Sequence, residues 1–221
     1  MQKYGSIFCN GDYVHNDEVQ KLLEGADCII AADGGLKHLN SLNISPTAII
    51  GDMDSTNPEM LINQTAEIIK FPAKKSQTDT ELAVEYLQSK GYKKIFLIGA
   101  TGKRLDHELG NISLMANTTQ TQLFIIDKNT ITFAINSTFS TTSFQRKKES
   151  LVSIIPCGTT FPCLTTTGLK YPLNKQYLQN PCHGISNIVN SKHTTITIEN
   201  DATAIISIEH ILPLPKNKKD C

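Results

Sequence analysis

The chain has 221 residues, 39% of them hydrophobic, and its 21 Lys and Arg residues balance its 21 Asp and Glu residues. That length buries a real core in one or two domains, and the zero formal charge gives no global positive field to draw nucleic acid, so no polynucleotide partner is expected. No apolar run approaches the roughly 20 residues of a spanning helix, and residues 1–5 enter a strand-like segment with no apolar leader, so the reading is a cytoplasmic protein without a membrane partner.

In chain order, the first 127 residues alternate strand and helix signals. Apolar or β-branched runs at 5–9, 28–32, 47–50, 67–71, 94–98 and 122–127 predict strands. Between them, Asn16 or Asp17 precedes a helix over 18–24 that Gly25 stops, and Asn57-Pro58 supplies a cap and first turn. A longer helix over 78–90 is closed by Gly91. Repeated units of this kind imply a parallel sheet with helices packed on its faces.

After about Lys128 the texture changes to Thr, Ser and β-branched residues without a helical period. Strands are predicted at 130–136, 151–155 and 164–169, with a pair at 194–199 and 203–209 joined across Asn200-Asp201. The expected architecture is an α/β domain over 1–127, built on a parallel sheet, followed by a smaller all-β, sandwich-like domain over 128–221. The tail 213–221 reads as a frayed end. Cys9, Cys28, Cys157, Cys163, Cys182 and Cys221 contain no Cys-x-x-Cys pair and read mostly as small apolar residues of a reducing compartment. Cys157, Cys163, Cys182 and His183 match no compact zinc spacing.

The chemistry gathers where strands should end. Asp33-Gly34-Gly35 follows one apolar run and Gly51-Asp52-Met53-Asp54-Ser55 follows the next, and ligands of an open parallel sheet bind just beyond those ends. Magnesium takes hard oxygen ligands, usually one or two carboxylates. Asp52 and Asp54 are two apart, so an extended backbone projects both to one side. A plain polar turn capping the helix at Asn57 is the alternative, but a turn needs only one such residue. Gly34 and Gly35 suit a close phosphate or a tight strand-to-helix turn equally. Thr78 and Glu81 form a capping box, which leaves Asp79 over as a metal candidate.

Gly99-Ala100-Thr101-Gly102-Lys103-Arg104 has too short a spacing for a P-loop, yet it is a glycine-relaxed loop that presents Lys103 and Arg104 to phosphate oxygens. Arg104 with Asp106 reads equally as a surface ion pair, and His107 as a polar residue at a helix start. Together these features describe a metal-assisted phosphate site.

In this order the motifs resemble the thiamine pyrophosphokinase family, in its bacterial form, over essentially the whole chain. They are Ala32-Asp33-Gly34-Gly35, Pro46 leading to Gly51-Asp52-Met53-Asp54-Ser55, Phe71-Pro72 before Lys75 and Thr78-Asp79, Gly99-Ala100-Thr101-Gly102, and Arg104-Leu105-Asp106-His107 with Asn111. Thr167-Gly168-Leu169-Lys170-Tyr171-Pro172-Leu173 and Gly184-Ile185-Ser186-Asn187 follow in the second domain. Each is weak alone, and the series is specific.

The resemblance implies transfer of the pyrophosphoryl group of ATP to the hydroxyl of thiamine, giving thiamine diphosphate and AMP. It implies Mg2+, an ATP-binding catalytic first domain, a thiamine-binding and dimerising second domain, and a homodimer whose site is shared between subunits. Carried over, Asp33, Asp52, Asp54 and Asp79 are the catalytic carboxylates, with Asp52, Asp54 and Asp79 as metal ligands. Gly34, Gly35, Lys75, Gly102, Lys103, Arg104, Asp106 and His107 contact ATP and its phosphates, and Tyr171, Ser186 and Asn187 serve the thiamine pocket. Two positions depart from the family pattern. Ser76 stands where many relatives have Asp, and Lys103 stands at the second Gly of a Gly-Gly-Arg loop, where a Cβ is expected to demand negative φ. A pterin-alcohol pyrophosphokinase and a non-catalytic nucleotide sensor are the alternatives, the second disfavoured by four aspartates.

Overall fold

The computed structural model describes residues 3–13, 17–53, 65–209 and 216–217. The chain forms two compact units, one of Met1–Leu114 with Leu123–Lys128 and the other of Met115–Gln122 with Asn129–Cys221.

The first unit opens with β1 (Gly5–Phe8), α1 (Asp17–Glu24) and β2 (Cys28–Ala32). A 3-10 turn (Asp33–Gly35) leads into α2 (Leu36–Ser41), followed by β3 (Ala48–Gly51) and β4 (Glu67–Lys70). Then come α3 (Asp79–Ser89), β5 (Lys94–Ile98), α4 (Leu105–Asn117) and β6 (Gln122–Ile126). The strands lie in the order β6-β5-β1-β2-β3-β4, with β5, β1, β2, β3 and β4 parallel. Every residue of β1, β3 and β6 is buried, which is why these strands read as unbroken apolar runs rather than as alternations. The edge strand β4 is largely exposed and carries Glu67 and Lys70 at its ends, charges that discourage pairing with another chain.

Helices cover the sheet through narrow apolar faces. Val19, Leu22 and Leu23 of α1 are buried at helical spacing. Ala83, Val84 and Leu87 are buried on α3, which packs on β1, β2 and β3. Burying a side chain such as Leu87 contributes about 1.5–3 kcal/mol. The Thr78 side chain accepts from Glu81 N at 3.2 Å, so the expected cap holds the start of α3. The Phe96 ring meets Tyr4 edge-on and stacks on Phe124, with ring centroids 5.2 and 5.0 Å away. Among the described residues no helix is long and apolar enough to cross a membrane.

The second unit holds β7 (Thr130–Ile135), β8 (Thr141–Gln145), β9 (Leu151–Cys157), β10 (Cys163–Thr167) and β11 (Gln176–Tyr177). It continues through β12 (Asn187–Ile188), β13 (His193–Ile198), β14 (Thr203–Glu209) and β15 (Lys216–Asn217). Antiparallel strands run β12-β9-β14-β7 and, in a separate sheet, β11-β10-β13-β8-β15. Thr194, Ile196 and Ile198 of β13 are buried, while Thr195 and Thr197 pair with Ser143 and Thr141 through hydroxyls 3.1 and 3.2 Å apart. The Thr-rich texture is therefore one buried face and one face of cross-strand hydroxyl pairs.

The expected fold class, a parallel-sheet α/β part and an all-β part, is what the chain adopts. Two details differ. The strand β8 has no strong apolar run, and its Thr142 and Phe144 are inward only because β13 pairs beside it. The tail is not all frayed, since Lys216 and Asn217 pair with Ser143 and Thr142. The helix expected at Asn57-Pro58 lies outside the described residues.

Gly35 decides how the end of β2 meets β1. A Cβ there would lie 2.0 Å from the Phe8 carbonyl oxygen, so no side chain fits without moving the strand. Gly35→Ala is expected to destabilise by about 1–3 kcal/mol, read as a melting temperature lower by roughly 2–10 °C. An unchanged melting temperature would show that this approach is not needed.

Candidate active site

Strands β1 to β4 progress to one side of the sheet, while β5 and β6 lie on the other side of β1. The order therefore reverses between β1 and β5, where ligands of such sheets bind. The loops leaving these two strands are laced together by Cys9 N→Ile98 O at 2.8 Å, Gly11 N→Gly99 O at 2.7 Å and Asp12 N→Thr101 O at 2.8 Å. A cavity of about 420 Å³ lies at these loops, and Asp33, Asp52, Lys75, Asp79, Lys103 and Arg104 are among its lining residues.

Three carboxylates converge in it. Asp33, Asp52 and Asp79 each offer an oxygen, and these atoms lie within 4.8 Å of one another. Asp33 follows β2, is only 7% exposed, and sits at φ +41. A non-glycine residue there costs on the order of 1–3 kcal/mol, a strain that concentrates at functional sites. Asp52 follows β3, and Asp79 is the first residue of α3. Gly51 leaves room for the group, because a Cβ on it would meet Asp33 Cβ at 2.9 Å and Asp79 Cγ at 3.3 Å. The extended backbone expected between Asp52 and Asp54 is not kept at Met53, which adopts φ +67. Asp54 itself lies outside the described residues.

Lys75 donates to Asp79 at 2.6 Å. Burial nevertheless pushes the Asp79 carboxyl above its ordinary value, Lys75 opposes this, and the neighbouring Asp33 and Asp52 push the same way as burial. Hard oxygen donors gathered in a partly buried cavity fit a divalent cation such as Mg2+. Among the described residues this is the only such group of three. Cys157, Cys163, Cys182 and His183 form none.

The loop after β5 brings the basic residues. Lys103, Arg104, Gly102 and His107 line the cavity, and Asn111 of α4 fixes the loop by donating to Ala100 O at 2.7 Å. Arg104 donates to both Asp106 oxygens, at 3.1 and 2.6 Å, holding the fully exposed Asp106 carboxyl down at about 2. Lys103 sits at φ +60. The expected negative φ is thus wrong: the loop keeps the left-handed turn a glycine would make and places a long cation on it. Gly34 stands against the Asn10 side chain.

Sequence reasoning missed Asn10 and Lys37. Asn10 lines the cavity just past β1, and Lys37 Nζ donates to Asn10 Oδ1. For Asn10 the signal is present, since it directly follows the apolar run at 5–9, just past the end of β1.

In the second unit, Asn187 is buried and braces one loop. Its Nδ2 donates to Tyr171 O at 2.8 Å, and its Oδ1 accepts from Tyr171 N at 3.1 Å and Ile188 N at 2.8 Å. The Tyr171 side chain is 60% exposed. Ser186 is exposed at φ +59, with its backbone N donating to Ser153 Oγ at 3.1 Å.

Comparison with known proteins bears on this arrangement. A family profile described as thiamin pyrophosphokinase, catalytic domain, matches residues 19–126. Another, thiamin pyrophosphokinase, vitamin B1 binding domain, matches residues 141–205. The chain is 34% identical to a thiamine pyrophosphokinase of Bacillus subtilis (strain 168) over 155 residues, covering 67% of this chain and 72% of that one. It is 28% identical to thiamine pyrophosphokinase 3 of Oryza sativa subsp. japonica over 179 residues, covering 75% and 67% of the two chains. The crystal structure of thiamine pyrophosphokinase from Bacillus subtilis superposes with a TM-score of 0.82 at 25% identity, covering 95% of this chain and all 100% of that one. For thiamin pyrophosphokinase from Candida albicans the TM-score is 0.80 at 17% identity, over 95% and 89% of the chains, a likeness of fold.

The pH dependence of metal-free stability tests the carboxylate crowding. A carboxyl whose pKa rises on folding favours the folded state below its ordinary range, and this contribution is lost as pH rises through the folded pKa. Asp79→Asn keeps the neutral form at every pH. In metal-free buffer the variant is expected to melt with wild type in acid and above it at neutral pH. A lower neutral melting temperature would mean that the Lys75 pair outweighs burial and the neighbouring charges.

Proposed function

The chain belongs to the thiamine pyrophosphokinase family, and from that premise we propose that it transfers the pyrophosphoryl group of ATP to the hydroxyl of thiamine, giving thiamine diphosphate and AMP. The observation that carries this is the carboxylate group of Asp33, Asp52 and Asp79 sharing one cavity with Lys75, Lys103 and Arg104. The match of residues 141–205 to a vitamin B1 binding domain favours thiamine over a pterin alcohol.

In this reading the thiamine alcohol oxygen bonds to the β-phosphorus, the bond from that phosphorus to the α,β-bridging oxygen breaks, and AMP leaves. Such transfers depend mainly on positioning and charge neutralisation. Asp33, Asp52, Asp54 and Asp79 would hold Mg2+, which when bound neutralises phosphate charge. Lys75, Lys103, Arg104 and His107 bind phosphate oxygens, with Gly102 allowing close approach and Asp106 orienting Arg104, while Gly34 and Gly35 let the turn after β2 pack against Asn10 and Phe8. The alcohol proton passes to Asp33 or Asp79. Tyr171 offers an exposed aromatic face to the cationic thiazolium, Asn187 holds its loop, and Ser186 adds a polar contact.

We further infer a homodimer in which the first domain of one chain and the second domain of its partner complete each site. A cytoplasmic setting accords with Cys9, Cys28, Cys157, Cys163 and Cys182 being free thiols.

Incubation with ATP, Mg2+ and thiamine, followed by phosphorus NMR, is expected to give AMP and thiamine diphosphate in equal amounts. Accumulation of ADP with thiamine monophosphate would mean γ-phosphoryl transfer and would overturn the assignment.

A further inference from the structure

We propose that Lys37 and Lys103, gathered on Asn10, form a two-lysine clamp for a phosphate of the nucleotide, a subsite separate from the carboxylate group. The inference rests on the reading that the cavity takes ATP, and it assigns a binding role to Lys37 and Asn10.

The geometry is a shared acceptor. Lys103 Nζ donates to Asn10 O at 2.8 Å and lies 3.5 Å from Asn10 Oδ1. Lys37 Nζ donates to that same Oδ1 and lies 3.4 Å from the same carbonyl oxygen. Two ammonium groups from separate elements thus converge on one neutral residue. An amide offers lone pairs but no net charge, so it gathers the cations without neutralising them. Among the described residues neither lysine forms a salt bridge, whereas Lys75 and Arg104 each have a carboxylate partner. Burial and then the Lys103 ammonium push Lys37 down to about 8, with Asp12 only partly opposing. Convergent ammonium groups that Asp12 offsets only in part suit an anion with several oxygens, and lysine grips phosphate as a compact point charge.

The scaffold holds this convergence in place. Asn10 sits where the loops leaving β1 and β5 are laced by Gly11 N→Gly99 O at 2.7 Å. His38, next to Lys37 on α2, places Nε2 3.1 Å from Gly11 O, and its ring packs on Tyr13 with centroids 5.3 Å apart. Lys103 keeps φ +60 despite its side chain, an unfavourable backbone for a residue with a Cβ. Asn10 and Lys103 line the same cavity as Asp33, Asp52 and Asp79. The cavity therefore carries a negative end that suits a metal and a positive end that suits phosphate. A polyphosphate chain is the ligand class that satisfies both.

The test is Lys37→Gln in the full chain, with Mg2+ present throughout. Losing one charge-assisted contact is expected to lower kcat/KM for ATP, and calorimetric ATP affinity, by about tenfold to a hundredfold. The KM for thiamine should stay within about twofold, Lys37→Arg should retain most of the affinity, and the melting temperature should hold or rise as ammonium repulsion is relieved. Lys103→Gln attacks the clamp from the other loop and should also weaken ATP. Since both lysines grip one phosphate, the double variant should lose less than the product of the single losses or more than it, departing from independence. Wild-type turnover with ATP affinity unchanged in Lys37→Gln would sink the clamp and leave the proposed function standing. Wild-type protein that neither binds ATP nor makes thiamine diphosphate would sink both.

Discussion

Like charges held close in a partly desolvated crevice repel, and three carboxylate oxygens within 4.8 Å are such a case. Lys75, 2.6 Å from Asp79, offsets part of that repulsion. The backbone enforces the crowding: Asp33 is buried in a left-handed conformation, Gly51 has no side chain to separate it from Asp79, and α3 begins at Asp79 itself. A fold selected for stability alone would disperse these groups. Strain and repulsion at one spot, among hard oxygen donors, suit a site that binds a divalent cation.

The parallel sheet makes this concentration practicable. Strands β1, β2, β3 and β5 are buried and parallel, so their ends deliver Asn10, Asp33, Asp52 and the loop of Lys103 to one side. Negative groups come from the ends of β2 and β3 and from the start of α3. Positive groups come from α2 and from the loop after β5. Hydrogen bonds between the loops of β1 and β5 tie the two ends together, so charge separation within the cavity is built from rigid elements rather than from mobile side chains.

Much of this was legible in the sequence because it rests on local chemistry. Apolar runs ending in Asp33-Gly34 and Gly51-Asp52 marked buried strands with polar ends, and Thr78 with Glu81 marked the start of α3 and left Asp79 unexplained by the cap. What escaped depends on backbone torsion or on adjacency in space. Nothing near Met53 announces its positive φ, so spacing alone did not foresee the backbone at that residue. Lys103 reads as a residue that forbids a left-handed turn, yet the loop adopts one. Lys37 and Asn10 are 27 positions apart, and only the pairing of β1 with β2 brings them together. The strand β8 is inward through Thr142 as well as Phe144, and a buried threonine in a polar run gives little hydrophobic signal.

The central claim is that Asp33, strained and buried as it is, helps to hold a divalent cation at the strand ends. Mn2+ offers a direct measurement, because its free form gives a strong paramagnetic resonance signal that tight binding suppresses. Titrating Mn2+ into wild-type protein with ATP should show fewer free ions than the same ATP alone, and Asp33→Asn, with unchanged circular dichroism, should lose that difference. Equal Mn2+ retention by a folded Asp33→Asn variant would contradict the account.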